Sequence, residues 1–199
     1  MKYIFSEWLI EAENKSDIQI TNTSPADVDS LLAPNGPFEQ CFPNYMDEET
    51  LEFVKETTDW NASLKAVSGG QIVGFYLLGH KGVGNLNKTI KSEKARLEKG
   101  ENLKKYKGLT GIEGVALGVI PEYRGRKDFN VAKELKNRVR ETEGIHYIYG
   151  MQYKSLGNLN NWIGTPEKPK ARRLFAQSHD DDSENPVYIT LEDLPKKLN

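Results

Sequence analysis

The chain contains 199 residues, 37% of them hydrophobic and 28% charged, with a formal net charge of −2 at pH 7. This length is enough for one domain with a sizeable core, and the composition is that of a soluble, rather polar globular protein. No apolar stretch approaches the roughly 20 residues needed to span a bilayer, so we expect no membrane association.

Cysteine usage and the first residues indicate the compartment. Cys41 is the only cysteine, which excludes an intrachain disulfide and a cysteine metal cluster. The opening residues become acidic at Glu7, too early for a signal peptide. We therefore expect a reducing, cytoplasmic location. Because no His-rich or Cys-rich spacing occurs, no metal site is predicted.

The near-neutral net charge hides a strong asymmetry along the chain. Residues 1–60 hold 13 acidic and 3 basic side chains, whereas residues 81–107 hold 9 basic and 3 acidic ones. Such a division predicts one face for an anionic ligand or partner and another face for a cationic one.

The first third of the chain alternates between short helices and one strand. Residues 7–13 are amphipathic after Ser6 and predict a helix that belongs to an N-terminal addition over 1–17. The alternation over 18–21 predicts a strand. Ser24 followed by Pro25 predicts the start of a helix, and a further helix is expected to start at Asp47 or Thr50.

Two strands and a long basic segment follow. Residues 62–67 and 72–78 read as strands joined by a turn at 68–71, a pattern typical of a β-hairpin. Residues 80–110 form a basic insertion in which 88–105 contain few large apolar side chains. We interpret that stretch as an exposed helix or a mobile arm.

The centre of the chain is an apolar strand that leads through a basic turn into a helix. The strand covers 111–120, is rich in Val and Ile as in strands buried on both faces, and stops before Pro121. The helix covers 128–141, where Val131, Leu135 and Val139 form one apolar stripe. A helix N-terminus preceded by three cations predicts an anion site.

The last third predicts three more strands. Residues 146–153 alternate and are expected to run parallel to the central strand, because a helix connects the two. Residues 165–170 read as a linker. Closing strands are expected over 171–177 and 186–191, joined by an acidic loop at 179–185.

The central segment Val115 to Arg126 resembles motif A of the GNAT superfamily of acyl-CoA-dependent N-acyltransferases. A shorter stretch over 69–78, with Ile72-Val73-Gly74, is similar to the third strand of that family. The resemblance implies one α/β (α+β) domain over 1–199. Its sheet would be mixed, mostly antiparallel and of about six to seven strands, with flanking helices and a splayed parallel fourth and fifth strand.

The resemblance also implies acetyl-CoA, or another acyl-CoA, as the cofactor. In the family, the strand binds the thioester through its backbone and the following turn wraps the pyrophosphate with main-chain amides. The chain departs from the pattern by placing Lys127 and Phe129 where the family has small residues, although nearby cations can partly substitute by charge. The implied cofactor-binding residues are Leu117, Val119, Arg124, Gly125, Arg126, Lys127 and Asn160.

Three residues are candidates for the proton transfers of amine acylation. Glu113 stands near the start of the central strand, where many relatives of this family have a general base. His80, at the end of the preceding strand, is an alternative base. The family often has a Tyr as general acid in the helix after the fifth strand, and Tyr153 is the nearest Tyr to that position.

The resemblance favours an N-acyltransferase that moves acetyl from acetyl-CoA to a primary amine by direct attack in a ternary complex. The acceptor would be a small molecule or a protein, and a homodimer is plausible for this fold. An alternative is a catalytically divergent GNAT-like protein whose basic insertion and basic turn bind an anionic partner such as nucleic acid. A third possibility is another acyl or aminoacyl donor in the same cleft.

Overall fold

A computed structural model describes residues 17–153, 163–178 and 187–195 of the chain. The predicted helix over 7–13, the loop over 179–185 and the candidate Asn160 lie outside these residues. Within the described residues, no helix is both long enough and apolar enough to cross a membrane.

The described residues form five α-helices and eleven strands, seven of which are four residues or longer. The helices are α1 Val28–Leu32, α2 Pro37–Cys41, α3 Glu48–Thr57, α4 Asn85–Ser92 and α5 Val131–Arg140. The strands are β1 Gln19–Asn22, β2 Leu64–Ser68, β3 Gln71–Leu78, β4 Gly82–Val83, β5 Arg96–Leu97, β6 Thr110–Val119, β7 Tyr147–Tyr153, β8 Gly164–Thr165, β9 Lys168–Pro169, β10 Arg173–Gln177 and β11 Val187–Asp193.

These elements divide into two compact units, and β6 contributes residues to both. The first unit comprises the described residues of 1–78 and 116–141. Its strands follow the order β1-β2-β3-β6, in which β1 pairs antiparallel with β2 and β2 with β3. Helix α5 packs on β2 and β3, and α2 packs on β3.

Local signals explain the starts and turns of the first unit. Asp47 caps α3 by accepting a hydrogen bond from the backbone N–H of Thr50 at 2.8 Å, which confirms the predicted start. The turn between β2 and β3 contains Gly69 and Gly70 with φ of +55° and +79°. Only glycine adopts such angles without strain, so the predicted hairpin is confirmed together with its cause.

The first unit buries its apolar side chains between helices and sheet. Phe38 of α2 stacks on Phe75 of β3 with ring centroids 6.0 Å apart. Val131, Leu135 and Val139 of α5 are fully buried, as their spacing of four residues predicts.

The second unit comprises the described residues of 79–115 and 142–199. Its strand order is β6-β7-β11-β10-β5, and β4 also pairs with β6. The pairing of β6 with β7 is parallel, as predicted, and its register covers Gly111–Glu113 against Tyr147–Tyr149. The other recorded pairings are antiparallel, which confirms the predicted class: a mixed α/β protein whose mostly antiparallel central sheet is flanked by helices.

Burial of β6 is less complete than its apolar sequence predicts. Side chains from Glu113 to Leu117 are half-buried, whereas Ile112 is buried. The parallel register with β7 ends at Glu113.

The interpretation of 88–105 as an exposed helix or a mobile arm is wrong. Helix α4 ends at Ser92, and β5 then pairs with β10. The apolar side chains Leu86, Ile90 and Tyr106 are buried in the core of the second unit. That core also contains Tyr147, Tyr149, Phe175, Ala176, Ile189 and Leu191. The few apolar residues of the insertion are buried because large aromatic side chains of the sheet pack against them.

A polar network ties the insertion to the closing strands. Arg173 of β10 donates from Nε to Glu101 at 2.6 Å, from Nη1 to Asp193 at 3.3 Å and from Nη2 to the hydroxyl of Tyr106. Asp193 also accepts from the Nζ of Lys105 at 2.8 Å. The stretch 165–170, predicted as a linker, contributes to the hairpin β8–β9 instead.

Candidate active site

Strand β6 leads through a tight turn into helix α5, as the sequence predicts. Pro121–Tyr123 form one turn of 3-10 helix, and Gly125 then reverses the chain with φ of +70°. The side chain of Asn130 accepts a hydrogen bond from the backbone N–H of Lys133 at 3.0 Å and so caps α5. The N-terminus of α5 is thereby fixed next to the basic turn.

The three cations of the turn differ in what they bind. Arg124 donates from Nε to the carbonyl oxygen of Val119 at 2.7 Å. Arg126 forms an ion pair with Asp128 at 3.0 Å and lies over the ring of Tyr123, 5.4 Å from its centroid. Lys127 is exposed. The negative charge of Asp128 therefore neutralises part of the positive charge of this turn.

The backbone of the same turn can donate to an anion. In the described part of the chain, the N–H groups of Gly125, Arg126 and Lys127 make no hydrogen bond. Consecutive amides of this kind, next to a helix N-terminus, are suited to phosphate oxygens. The carboxylate of Asp128 would compete with a phosphate for the donors of this turn. Hydrogen bonds from Arg126 and from the N–H of Phe129 hold the pKa of this carboxyl below its usual value.

At the positions predicted to hold the thioester, the polar groups of β6 point away from β3. The N–H of Ile120 donates to the carbonyl of Val73 in β3 at 3.1 Å. Since neighbouring residues of a strand direct their polar groups to opposite sides, Val119 and Leu117 direct theirs away from β3. The residues that the family resemblance implies for pyrophosphate and thioester are thus on one continuous segment of the first unit, as predicted from their order in the sequence.

Helix α2 adds Cys41, which the sequence analysis did not connect with the basic turn. Cys41 interacts with the side chain of Arg124, while burial raises the pKa of the Cys41 thiol. A Cβ on Gly118 would lie 2.8 Å from the Sγ of Cys41 and would overlap the ring of Phe75. A side chain at position 118 would therefore push apart the contacts under the basic turn.

Glu113 lies earlier on β6, within the second unit, in a partly apolar environment. Burial raises the pKa of its carboxyl, a hydrogen bond from Tyr149 opposes this, and the negative charge of Glu93 adds to the increase. The hydroxyl of Tyr149 lies 3.4 Å from Oε2 of Glu113, and the hydroxyl of Thr89 lies 3.5 Å from that of Tyr149. A carboxyl with a raised pKa can accept a proton near neutral pH.

The sequence analysis missed Tyr149 and Thr89. Tyr149 stands opposite Glu113 in the parallel register, but the two are far apart in sequence, and no local pattern joins them. Thr89 lies in the insertion, which was interpreted without regard to this strand. Only the expected pairing of the two strands could have indicated Tyr149.

The other predicted site residues are placed as follows. His80 is exposed, and its main-chain carbonyl accepts from Asn85 at 2.9 Å. Tyr153 is the last residue of β7, where its backbone pairs with Val187, and its side chain is outside the described structure. The roles predicted for these residues, and for Asn160, stay predictions.

The basic side chains of the insertion remain on its outer surface. Lys105 pairs with Asp193, and it is itself exposed. The other eight basic residues of 81–107 are also exposed: Lys81, Lys88, Lys91, Lys94, Arg96, Lys99, Lys104 and Lys107. The insertion therefore combines an apolar inner side with a positively charged outer side.

No protein-family model and no curated protein match the sequence of this chain. Solved structures do match. An arylalkylamine N-acetyltransferase from Aedes aegypti superposes with a TM-score of 0.58 at 16% identity, over 90% of this chain and 100% of that one. A GNAT-family acetyltransferase from Bacillus cereus gives 0.51 at 14% identity, over 90% and 99%.

A third match is the GNAT-like decarboxylase GphF, whose structure contains isobutyryl-CoA. It has a TM-score of 0.53 and 18% identity, over 89% of this chain and 100% of that one. Identities this low carry information about the fold only. Together with the strand order and the strand–turn–helix segment described above, they show that the chain has the fold of the GNAT superfamily.

Proposed function

We propose that the chain is an acyl-CoA-dependent N-acyltransferase, with acetyl-CoA as donor and a primary amine as acceptor. The observation that carries this proposal is the turn between β6 and α5. It combines three backbone N–H groups without partners in the described chain with the cationic side chains of Arg124, Arg126 and Lys127. These groups suit the two phosphates of a CoA pyrophosphate.

The end of β6 and the basic turn would bind different groups of the donor. The N–H groups of Gly125, Arg126 and Lys127 would donate to the pyrophosphate, and Lys127 would add charge where the family has a small residue. The N–H of Val119 would donate to the thioester carbonyl, and Leu117 would contact the pantetheine arm. Acyl-CoA supplies an acyl group that is activated as a thioester.

Glu113 would accept the proton that the acceptor ammonium loses, directly or through water. Its pKa is raised mainly by burial, which brings its proton affinity closer to that needed for a base near neutral pH. The amine nitrogen then forms the new C–N bond as the C–S bond breaks, and the leaving thiolate takes up the second proton that the nitrogen loses on becoming an amide. Direct attack in a ternary complex needs no covalent acyl-enzyme.

The acceptor class follows from charge. The described part of residues 1–60 is strongly acidic, and Glu48, Glu49 and Glu52 lie exposed on α3. A cationic amine such as a polyamine, an aminoglycoside or a lysine side chain would be attracted to such a surface. This expectation is a proposal about the acceptor and is independent of how the donor binds.

Calorimetric titration with acetyl-CoA tests the donor site. We expect micromolar binding to the wild type, loss of binding in an Arg124→Ala/Arg126→Ala variant, and wild-type binding in Arg138→Ala/Arg140→Ala. The control variant removes the same two charges from the other end of α5. No binding to the wild type at high micromolar acetyl-CoA would contradict the proposal. Once binding is established, a panel of amines identifies the acceptor, and Glu113→Gln should abolish transfer.

A further inference from the structure

Glu113, Tyr149 and Thr89 form a hydrogen-bonded series in which each hydroxyl donates in the same direction. The hydroxyl of Thr89 donates to the oxygen of Tyr149 at 3.5 Å, and the hydroxyl of Tyr149 donates to Oε2 of Glu113 at 3.4 Å. Both distances are longer than those of ordinary O–H···O hydrogen bonds, which are about 2.5–3.0 Å. Such contacts at proton-transfer sites often tighten only when substrate is present.

Burial fixes Tyr149 in the donating role. Its side chain is only 2% exposed and packs in the core of the second unit beside the ring of Tyr147. Burial first, and then the negative charge of Glu113, raise the pKa of Tyr149 far above its ordinary value. Tyr149 is therefore a neutral phenol near neutral pH and can donate to the carboxylate.

Thr89 reaches this site because α4 packs on the sheet. Leu86 and Ile90 on the inner side of α4 are buried in the core, and Thr89 is half-buried beside them. Glu93, which follows the helix, raises the pKa of Glu113 through its negative charge. The insertion thus contributes one hydroxyl that supports the ionised form of Glu113 and one carboxylate that opposes it.

We propose that Tyr149 and Thr89 are positioning residues for Glu113, and that helix α4 of the basic insertion is thereby part of the proton-accepting apparatus. This inference rests on the proposed function only for the role of Glu113 as base. The arrangement itself holds the carboxylate in one orientation, because a rigid, buried phenol binds one of its two oxygens. Without that bond the Glu113 side chain can rotate about three single bonds.

The arrangement has a measurable consequence that does not depend on activity. A hydrogen bond from Tyr149 favours the ionised carboxylate, so its removal must raise the pKa of Glu113. Loss of the Thr89 donor should act in the same direction but less, because it acts through Tyr149. Removal of the negative charge of Glu93 must lower the pKa of Glu113.

Carbon-13 NMR titration of the Glu side-chain carboxyls, with Glu113 assigned by Glu113→Gln, measures this pKa directly. We expect Tyr149→Phe to increase the proton affinity of Glu113 about three- to tenfold and Thr89→Val about two- to threefold, while Glu93→Gln decreases it. Thr89→Ser should restore the wild-type value. Tyr147→Phe is the matched control, since its hydroxyl has no side-chain partner among the described residues.

The inference is overturned if Tyr149→Phe leaves the Glu113 titration unchanged while near-ultraviolet circular dichroism shows intact packing. It is also overturned if Tyr147→Phe shifts the titration equally. A kinetic measurement distinguishes failure of this inference from failure of the proposed function. If an amine substrate is found, the acid limb of the kcat/KM profile should move to higher pH in Tyr149→Phe. If none is found, the acyltransferase proposal fails, and the NMR titration still decides the role of Tyr149.

Discussion

Arg124 donates a hydrogen bond of 2.7 Å from its Nε to the carbonyl oxygen of Val119, which ties the basic turn back to the last residue of β6. The guanidinium presents its N–H donors in a rigid plane, whereas lysine carries a compact, strongly hydrated ammonium on a flexible stem. Arg124 therefore orders the strand end as well as supplying charge.

We expect Arg124→Lys to weaken acetyl-CoA binding about three- to tenfold although the charge is kept. Arg126→Lys should have a smaller effect, since Arg126 binds the exposed Asp128 rather than the backbone. Calorimetric titration of the two variants side by side measures the difference. Equal losses would mean that charge alone matters at this turn.

Asp128 places a negative charge within the turn that is proposed to bind phosphates. Its carboxylate occupies Arg126 and accepts from the N–H of Phe129. Asp128→Asn should free Arg126 and remove a repulsion, so we expect tighter acetyl-CoA binding, by about twofold to fivefold at low salt. Raising the salt concentration should reduce this gain. An unchanged or weaker affinity in Asp128→Asn would place the phosphates elsewhere.

The network around Arg173 should stabilise the second unit. Truncation in Arg173→Met leaves Glu101 and Asp193 without their guanidinium partner, and Glu101 is only 16% exposed. We expect the free energy of unfolding to fall by about 1–3 kcal/mol. Arg96→Met, at an exposed position of the same unit, should cost less than about 0.5 kcal/mol. Urea denaturation measures both, and equal costs would remove the network as a source of stability.

Asp27 and Lys65 form an ion pair of 2.6 Å whose stabilising effect should depend on pH. Burial raises the pKa of Asp27, but hydrogen bonds from Lys65 and Ser24 outweigh it and leave the pKa below its usual value. Stability from a carboxyl with a lowered pKa is fully present above the unfolded value of about 3.9. It is lost as the pH falls through the folded pKa.

We therefore expect Lys65→Met to reduce the free energy of unfolding by about 1 kcal/mol at pH 7, with the difference lost as the pH falls through the lowered pKa of Asp27. Lys55→Met removes the same charge from an exposed position of α3 and should show no such dependence. Urea denaturation at several pH values provides the comparison. A difference that persists at low pH would show that Lys65 stabilises by packing rather than by its charge.

The elements that were predictable from sequence are those with local signals. Pro25 after Ser24 marks the start of a helical segment, and the N-cap Asp47 marks the start of α3, and each signal lies within a few residues of sequence. Gly69 and Gly70 mark a turn because of their φ angles, and the stripe of α5 repeats every four residues. The basic turn after β6 was also found in this way, because strand, turn and helix follow one another without interruption.

The parts that were not predictable depend on contacts between distant segments. Tyr149 meets Glu113 only because β6 and β7 pair in one particular parallel register. The insertion was misinterpreted because its apolar residues are few, and the surface that buries Leu86 and Tyr106 belongs to strands much later in the chain. Periodicity within 88–105 carries no information about that surface.

Tyr106 has a consequence for any attempt to shorten this protein. The basic insertion has the charge of a surface decoration, so its removal would be an obvious route to a smaller domain. Yet Tyr106 packs edge-on against Tyr147 at 5.0 Å and against Phe175 at 5.6 Å. A version without 85–106 would expose these rings and those around them to solvent, and it would be prone to aggregate. A shortened form of this protein should therefore keep its basic segment.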